Sequence, residues 1–241
     1  MNKEIENSIC ICTWNNEKTI KRTLNDIIVA GWAYEIIIVD NNSEDKTREI
    51  LLKHKKELGG IELVLLNKNI GEGAGVNLAM RLTSGKYVFK CDPDVFVPDN
   101  WIDKMKSYLI SGVGVVVANS SGVKNWKSTV WNNRTELEIV HGSCFLLPRE
   151  TINKCGYWSA DYFYGISEKD YALKVREAGL RVLVASDVNI VHEQHNIELR
   201  KPITSKHMQE DSKRFNFKWT KRLSLEEPFK WETCELNRRF Y

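Results

Sequence analysis

Glu35-Ile36-Ile37-Ile38-Val39-Asp40 decides the fold class. Its four consecutive β-branched residues show no alternation of apolar and polar positions. A strand made from them is buried on both faces, as in a parallel sheet covered by helices on each side. Upstream, residues 8–13 form a second β-type run ending in Trp14-Asn15-Asn16, and Ile20, Leu24, Ile27 and Ile28 follow at helical spacing. Downstream, Ser43 is the expected N-cap of a helix carrying Ile50, Leu51 and Leu58, with Gly59-Gly60 as its stop. Residues 61–66 predict a third strand. A glycine-rich turn and a helix over roughly residues 75–82 lead to a fourth strand at 87–91. Strands alternating with helices at this interval predict a doubly wound α/β sheet.

The second half alternates less cleanly. Residues 113–118 and 143–147 read as strands, with a long polar loop between them holding Trp126 and Trp131. Residues 168–178 read as a helix with Gly179 as its C′ residue, and 180–184 and 189–191 as short strands. Beyond Pro202 lies a charged stretch with interleaved Phe215, Phe217, Trp219, Phe229 and Trp231. The expected organisation is one domain over residues 1–200, followed by a charged, aromatic-containing extension over 201–241.

Composition bounds the function. The chain has 241 residues, 42% hydrophobic and 28% charged, ordinary for a globular domain. A formal net charge of +3 gives no global drive toward nucleic acid, and none is expected as a partner. Six cysteines without a Cys-x-x-Cys pair read as reduced thiols of a cytosolic protein. Cys10 and Cys12 fall on one face of their strand and suit a small-residue core. The charged start lacks the apolar core of a signal peptide, and no apolar run approaches a membrane span. The expected location is cytoplasmic, with the inner face of a membrane as an alternative. Asn41, Asn119 and Asn133 begin Asn-x-Ser/Thr triplets, which read as surface loops.

Asp92-Pro93-Asp94 carries the chemistry. It follows the apolar run 87–91, so two carboxylates arrive at the carboxyl end of a strand, where open α/β sheets bind ligands. Pro93 fixes one φ and stiffens the turn. Hard oxygen ligands there suit Mg²⁺ or Mn²⁺ held against phosphate oxygens. Asp40 ends another strand, and Glu168 and Asp170 open the later helix. The segment 69–77 holds Gly71, Gly73 and Gly75, where backbone can approach a bulky group at a helix N-terminus.

Taken together over residues 8–195, these features resemble the nucleotide-sugar-dependent glycosyltransferases of the GT-A fold, family 2. The matching elements occur in the family's order: a strand ending in Thr13; Ile37 to Ser43 with Asp45-Lys46-Thr47; Asn69-x-Gly71 with Asn77; Ser84-Gly85-Lys86-Tyr87; Asp92-x-Asp94; Gly142 with Pro148-Arg149; Gly156-Tyr157; an acidic pair before Ala178-Gly179; and Val191-His192. The resemblance implies a Rossmann-like GT-A sheet, open, mixed and largely parallel, with helices on both faces. It implies a donor half over about residues 1–100 and an acceptor-side half over 101–200. The implied activity is metal-dependent, inverting transfer of a sugar from a nucleoside-diphosphate sugar, with UDP favoured, to an acceptor hydroxyl on a glycan, lipid or other molecule. Asp40 would then hydrogen-bond base or ribose, Thr13 would approach the nucleotide through its backbone, and Asn69, Gly71 and Asn77 would flank it. Asp94 would hold Mn²⁺ or Mg²⁺, with Asp92 acting through water or ribose, and His192 would complete the shell or line the pocket as a hydrogen-bonded histidine. Glu168 falls where the family carries its general base, with Asp170 as the alternative. The chain has Ser167-Glu168-Lys169-Asp170 where the family shows Glu-Asp-x-Asp, and Gly156-Tyr157-Trp158 where it commonly has glycine, an aromatic and aspartate.

Competing readings are weaker. His192-Glu193-Gln194-His195 spaces its histidines three apart after a strand, which excludes the helical zinc-protease motif; His195 reads as structural. Gly71-x-Gly73-x-Gly75 has the wrong spacing and place for a dinucleotide fingerprint. A nucleotidyltransferase would place a glycine-rich phosphate loop after the first strand, where this chain has Thr13-Trp14-Asn15-Asn16-Glu17. A non-catalytic sugar-nucleotide-binding protein is the other alternative. Trp126 and Trp131 suit stacking on an acceptor sugar, with packing beneath the long loop as the alternative. The basic residues of the extension suit either a helix packed on the domain or peripheral contact with a membrane.

Overall fold

The computed structural model describes residues 5–29, 34–120, 128–131, 134–137, 142–193 and 197–223. Strand β1 (Asn7–Thr13) lies between β2 (Tyr34–Asp40) and β4 (Tyr87–Cys91), parallel to both, and β3 (Ile61–Leu65) extends the parallel set beyond β2. On the other side β9 (Cys144–Pro148) runs antiparallel to β4 and to β6 (Val113–Asn119). Next come β10 (Arg181–Asn189), parallel to β6, and the hairpin of β7 (Ser128–Trp131) and β8 (Arg134–Leu137). The sheet order is β3-β2-β1-β4-β9-β6-β10-β8-β7. This is the mixed, largely parallel sheet expected of a Rossmann-like GT-A fold.

Each central strand feeds two apolar layers. Ile9, Ile11, Ile36 and Ile38 face the layer of α1 (Ile20–Val29), α2 (Thr47–Leu58) and α4 (Trp101–Ser107). Cys10, Ile37 and Val39 face the layer of α3 (Glu72–Leu82), α5 (Arg149–Cys155) and α6 (Ser167–Glu177). The unbroken Ile-Ile-Ile-Val run thus supplies both layers, and none of its four residues is more than 4% exposed. Helix α3 lies close on β1. A Cβ on Gly75 would stand 2.4 Å from Cys12 Sγ, so no larger residue fits there. The described cysteines are free thiols, and Cys234 lies outside the described residues.

Several local expectations are corrected. Helix α2 begins at Thr47, and Lys46 rather than Ser43 holds the N-cap position. Ser43 is used otherwise: its N–H donates to Asp40 Oδ2 at 3.1 Å, and its hydroxyl accepts from Asn15 N–H at 2.9 Å. Helix α3 begins at Glu72, a turn earlier than expected, immediately after Gly71. The expected strands at 180–184 and 189–191 are one strand, β10, with a register shift against β6 between Ala185 and Asn189, and then β11 (Val191–His192). The expected long loop contains the β7–β8 hairpin. Trp126 lies outside the described residues, as do His195, Phe229 and Trp231.

Residues of the extension form α7 (Ile197–Arg222), a helix that runs across residue 200. Phe215 and Trp219 are buried against the domain. Among the described residues no helix is long and apolar enough to cross a membrane.

Candidate active site

The site lies at the carboxyl ends of β1, β2 and β4. The turn after β4 is held from several sides. Asp92 N–H donates to the Ser143 carbonyl at 2.8 Å, and the Thr23 hydroxyl donates to the Pro93 carbonyl at 2.9 Å. The chain then enters β5 (Val95–Phe96), which pairs antiparallel with β11 and sets His192 opposite Val95. Glu193 N–H donates to the Asp94 carbonyl at 2.9 Å. This small ribbon places His192 Nε2 3.2 Å from Asp94 Oδ1 and 3.9 Å from Asp92 Oδ2. One donor atom from each of Asp92, Asp94 and His192 lies within 4.8 Å of the other two. Two carboxylates and an imidazole at this spacing are a donor set able to hold a divalent cation. Burial pushes the Asp92 carboxyl up, against the pull of Lys90 and His192. Burial draws the His192 imidazole down, but its hydrogen bond with Asp94 and the charges of Asp92 and Asp94 prevail and raise it.

Lys90 stands behind this cluster and was missed in the sequence. Its ammonium contacts Asp92 Oδ1 and lies 3.6 Å from Glu72 Oε1, with the side chain 3% exposed. The rings of Trp158 and Phe145 flank it at 5.1 and 5.5 Å. Burial alone would lower its pKa. The carboxylates of Asp92 and Glu72 overcome that and push it above the usual lysine range, with Glu168 adding to them. Burial also raises the Glu72 carboxyl, and Glu168 and Asp92 add to this against the pull of Lys90. The available signal was a lysine inside the apolar run 87–91, two residues before Asp92.

The two candidate bases separate. Glu168, in the first turn of α6, is 6% exposed, and Lys169 Nζ donates to its Oε1 at 2.9 Å. It acts electrostatically on Lys90 and Glu72. Asp170 is fully buried and turned toward α7. Its Oδ1 accepts from the Tyr162 hydroxyl at 3.1 Å, Trp219 Nε1 at 2.9 Å and Lys218 Nζ at 2.5 Å.

Across β1, at the end of β2, Asp40 is fully buried, and its Oδ2 accepts from Arg48 Nε at 2.6 Å. Its Oδ1 is buried with no hydrogen-bond partner among the described residues. A buried polar atom left so calls for an explanation, and a bound water, ion or ligand is one. Thr13, in register with Asp40, donates its hydroxyl to Asn16 Oδ1 at 3.1 Å and accepts Asn41 N–H at 2.8 Å on its carbonyl. Asn69 and Gly71 lie in the loop before α3. Asn41 Nδ2 donates to Asn69 Oδ1 at 2.9 Å and to the Gly71 carbonyl at 3.0 Å. Gly71 has φ +88°, and a Cβ there would meet Phe163 at 3.1 Å. Asn77 is on α3, not in the loop, and donates to the Trp158 carbonyl at 2.7 Å. The glycines at 73 and 75 serve packing: a Cβ on Gly73 would stand 2.5 Å from Ser167 Oγ.

Helix α7 braces the segment that leads into α6. Asp211 Oδ2 accepts the backbone N–H groups of Phe163 and Tyr164 at 2.7 and 2.8 Å. His207 stacks on the Phe163 ring at 4.0 Å. The Phe163 carbonyl in turn accepts Glu72 N–H at 2.8 Å, joining this segment to the start of α3.

Known proteins share this architecture. The chain is 26% identical over 150 residues to the glycosyltransferase AglE of Haloferax volcanii, a match covering 61% of this chain and 48% of that protein. The chain thus spans about half the length of this curated relative. The mannosyltransferase PcManGT of Pyrobaculum calidifontis, solved with GDP-Man and Mn²⁺, superposes with a TM-score of 0.67 at 19% identity, over 86% of this chain and 63% of that one. GalNAc-T7, solved with UDP, GalNAc and Mn²⁺, superposes with a TM-score of 0.65 at 14% identity, over 80% and 44%. At such identities these structures establish the fold. The model of glycosyl transferase family 2 matches residues 8–166, from the first strand through the aspartate turn to the segment before α6, and the chain belongs to that family.

Proposed function

We propose that this protein is a metal-dependent, inverting glycosyltransferase that moves a sugar from a nucleoside-diphosphate sugar to an acceptor hydroxyl. The observation that carries the reading is the meeting of Asp92, Asp94 and His192 within 4.8 Å at the carboxyl end of the parallel sheet. The donor set fits Mn²⁺, which accepts an imidazole beside carboxylates, better than Mg²⁺, which prefers oxygen alone. When bound there, a divalent cation neutralises the charge that grows on the departing diphosphate.

The chain's own residues do the rest. Asp40 Oδ1 meets the base or ribose, which explains a buried oxygen without a partner. Asn69 and Gly71, pinned by Asn41, form the wall beside it; Thr13 approaches the nucleotide through its backbone, and Asn77 flanks it from α3. Glu168 takes the proton from the acceptor hydroxyl as its oxygen bonds to the anomeric carbon, while the bond to the diphosphate breaks and that group leaves with the electron pair. That Asp170 Oδ1 already accepts from Trp219, Lys218 and Tyr162 supports Glu168 over Asp170 in this role. Binding donor and acceptor in line supplies a further part of the acceleration. The donor half is residues 1–100 and the acceptor-side half 101–200. UDP is the favoured nucleotide. A cytoplasmic site at a membrane's inner face suits α7, which exposes Lys206, Lys213, Phe217 and Lys221.

The test is nucleotide binding in Asp94→Ala. Calorimetry should show Mn²⁺-dependent binding of UDP or GDP to the wild type and none to a folded Asp94→Ala variant. Equal, metal-independent binding to both would refute the metal-bridged site.

A further inference from the structure

Helix α6 opens on Ser167-Glu168-Lys169-Asp170, and Lys169 stands there against two ordinary preferences. A cation in the first turn opposes the helix dipole, which favours acids at that end. A buried lysine is costly unless its ammonium is paired, and Lys169 is 5% exposed. Successive residues of a helix point about 100° apart, so Glu168 and Lys169 do not meet by spacing alone. They meet because the Lys169 side chain folds back toward the start of the helix. Its Nζ donates to the Gly165 carbonyl, four residues earlier, at 2.8 Å and to Glu168 Oε1 at 2.9 Å. Gly165 is held in turn. Its φ is +72°, and its N–H donates to Glu72 Oε2 at 3.2 Å. The two residues before it give their N–H groups to Asp211. The ammonium is therefore anchored to fixed backbone and presented to one oxygen of Glu168.

Resting on the transferase reading above, we propose that Lys169 is a positioning residue for the base Glu168, holding its carboxylate through Oε1 and keeping it ionised. A carboxylate removes a proton only in its ionised form, and a cation at hydrogen-bond distance favours that form. A base works only within reach of the proton it takes, and a carboxylate tied at one oxygen to fixed backbone keeps its place between turnovers. Among the described residues, the charged groups that act on Glu168 from other elements are Lys90 of β4 and Glu72 of α3, which are opposite in sign. Lys169 is the cation hydrogen-bonded to it.

The experiment follows hydrolysis of UDP- and GDP-sugars by the whole chain with Mn²⁺, across pH. Water takes the acceptor's place: its oxygen bonds to the anomeric carbon, Glu168 takes its proton, and the diphosphate leaves with the electron pair. Lys169→Met should lower kcat by about 10²-fold at neutral pH, with KM for the donor and Mn²⁺-dependent binding of UDP or GDP unchanged. Loss of the cation favours the protonated carboxyl, so the acid limb of the kcat profile should move to higher pH by roughly one unit or more. Lys169→Arg, which keeps the charge, should restore both rate and limb. Lys169→Gln keeps a hydrogen bond without the charge; its limb should move as in Lys169→Met, and it replaces that variant where Lys169→Met does not fold. An unmoved limb in the folded neutral variants, or a fall in rate that accompanies lost nucleotide binding, overturns the proposal and leaves the transferase reading standing. A wild type that hydrolyses none of the donors overturns that reading, and this proposal with it.

Discussion

At the scale of the residue, the two acids of α6 show how neighbouring carboxylates receive different work from their surroundings. Glu168 accepts from Lys169 at the start of the helix, whereas Asp170 accepts from Lys218 and Trp219 of α7 and from the Tyr162 hydroxyl. Their substitutions should separate accordingly. Glu168→Gln should keep the fold and Mn²⁺-dependent nucleotide binding but lower the rate of sugar transfer by about 10²–10⁴-fold, the usual contribution of a positioned base. Asp170→Ala should leave Trp219 Nε1 and Lys218 without their acceptor. Breaking such a buried pair costs roughly 3–5 kcal/mol, and the low end is expected because Lys218 stays partly open to water. Urea unfolding and single-turnover assays of the two variants separate the effects. A loss of turnover in Asp170→Ala at unchanged stability would reverse the assignment.

At the scale of the element, α7 is part of the site's scaffold although it lies outside the matched family region. Asp211 fixes two backbone N–H groups of the segment that touches Gly71, starts α3 through Glu72 and leads into Glu168. Hydrogen bonds to a charged acceptor contribute about 1.5–3 kcal/mol each. Asp211→Ala should therefore lose roughly 3 kcal/mol or more and increase hydrogen exchange at Phe163 and Tyr164 before it does so in β1 or β4. Equal protection in the variant would show that α7 does not hold this segment. Some of this architecture is legible in the sequence, for physical reasons. The Ile36 to Val39 run has no period to misread, and Asp-Pro-Asp after an apolar run fixes where the carboxylates emerge. Ser43 misled because its hydroxyl is used by Asn15 across a loop, a long-range contact that local capping signals do not contain. The β7–β8 hairpin was hidden because β8 carries charges in place of an apolar run, and its buried Glu136 is satisfied by Arg176 and Arg181 from distant parts of the chain. Lys90 was hidden because strand periodicity scores a charge only as an interruption, and its partners come from α3 and from the turn after its own strand.

At the scale of the whole molecule, the site sits where the strand order reverses, with β2 and β3 stepping away from β1 on one side and β4 lying on the other. Strands β3, β2, β1 and β4 run parallel, and β9 reverses beside β4. Asp40 at the end of β2 and Asp92 after β4 stand on either side of β1 at the carboxyl edge of that parallel set. A ligand bridging those points touches loops anchored in both apolar layers, so its binding is linked to unfolding of the whole sheet. A nucleoside diphosphate present with Mn²⁺ at about 100 times its Kd adds about 2.7 kcal/mol to the stability of the native state. For a domain of this size each kcal/mol raises Tm by roughly 2–4 °C. The midpoint should then rise by about 5–11 °C with the correct nucleotide, lose that rise when EDTA is added, and show none of it in Asp94→Ala. A rise of the same size that survives EDTA would place the nucleotide's affinity in Asp40 and the 69–71 loop alone. The acidic cluster would then have a role other than bridging the diphosphate.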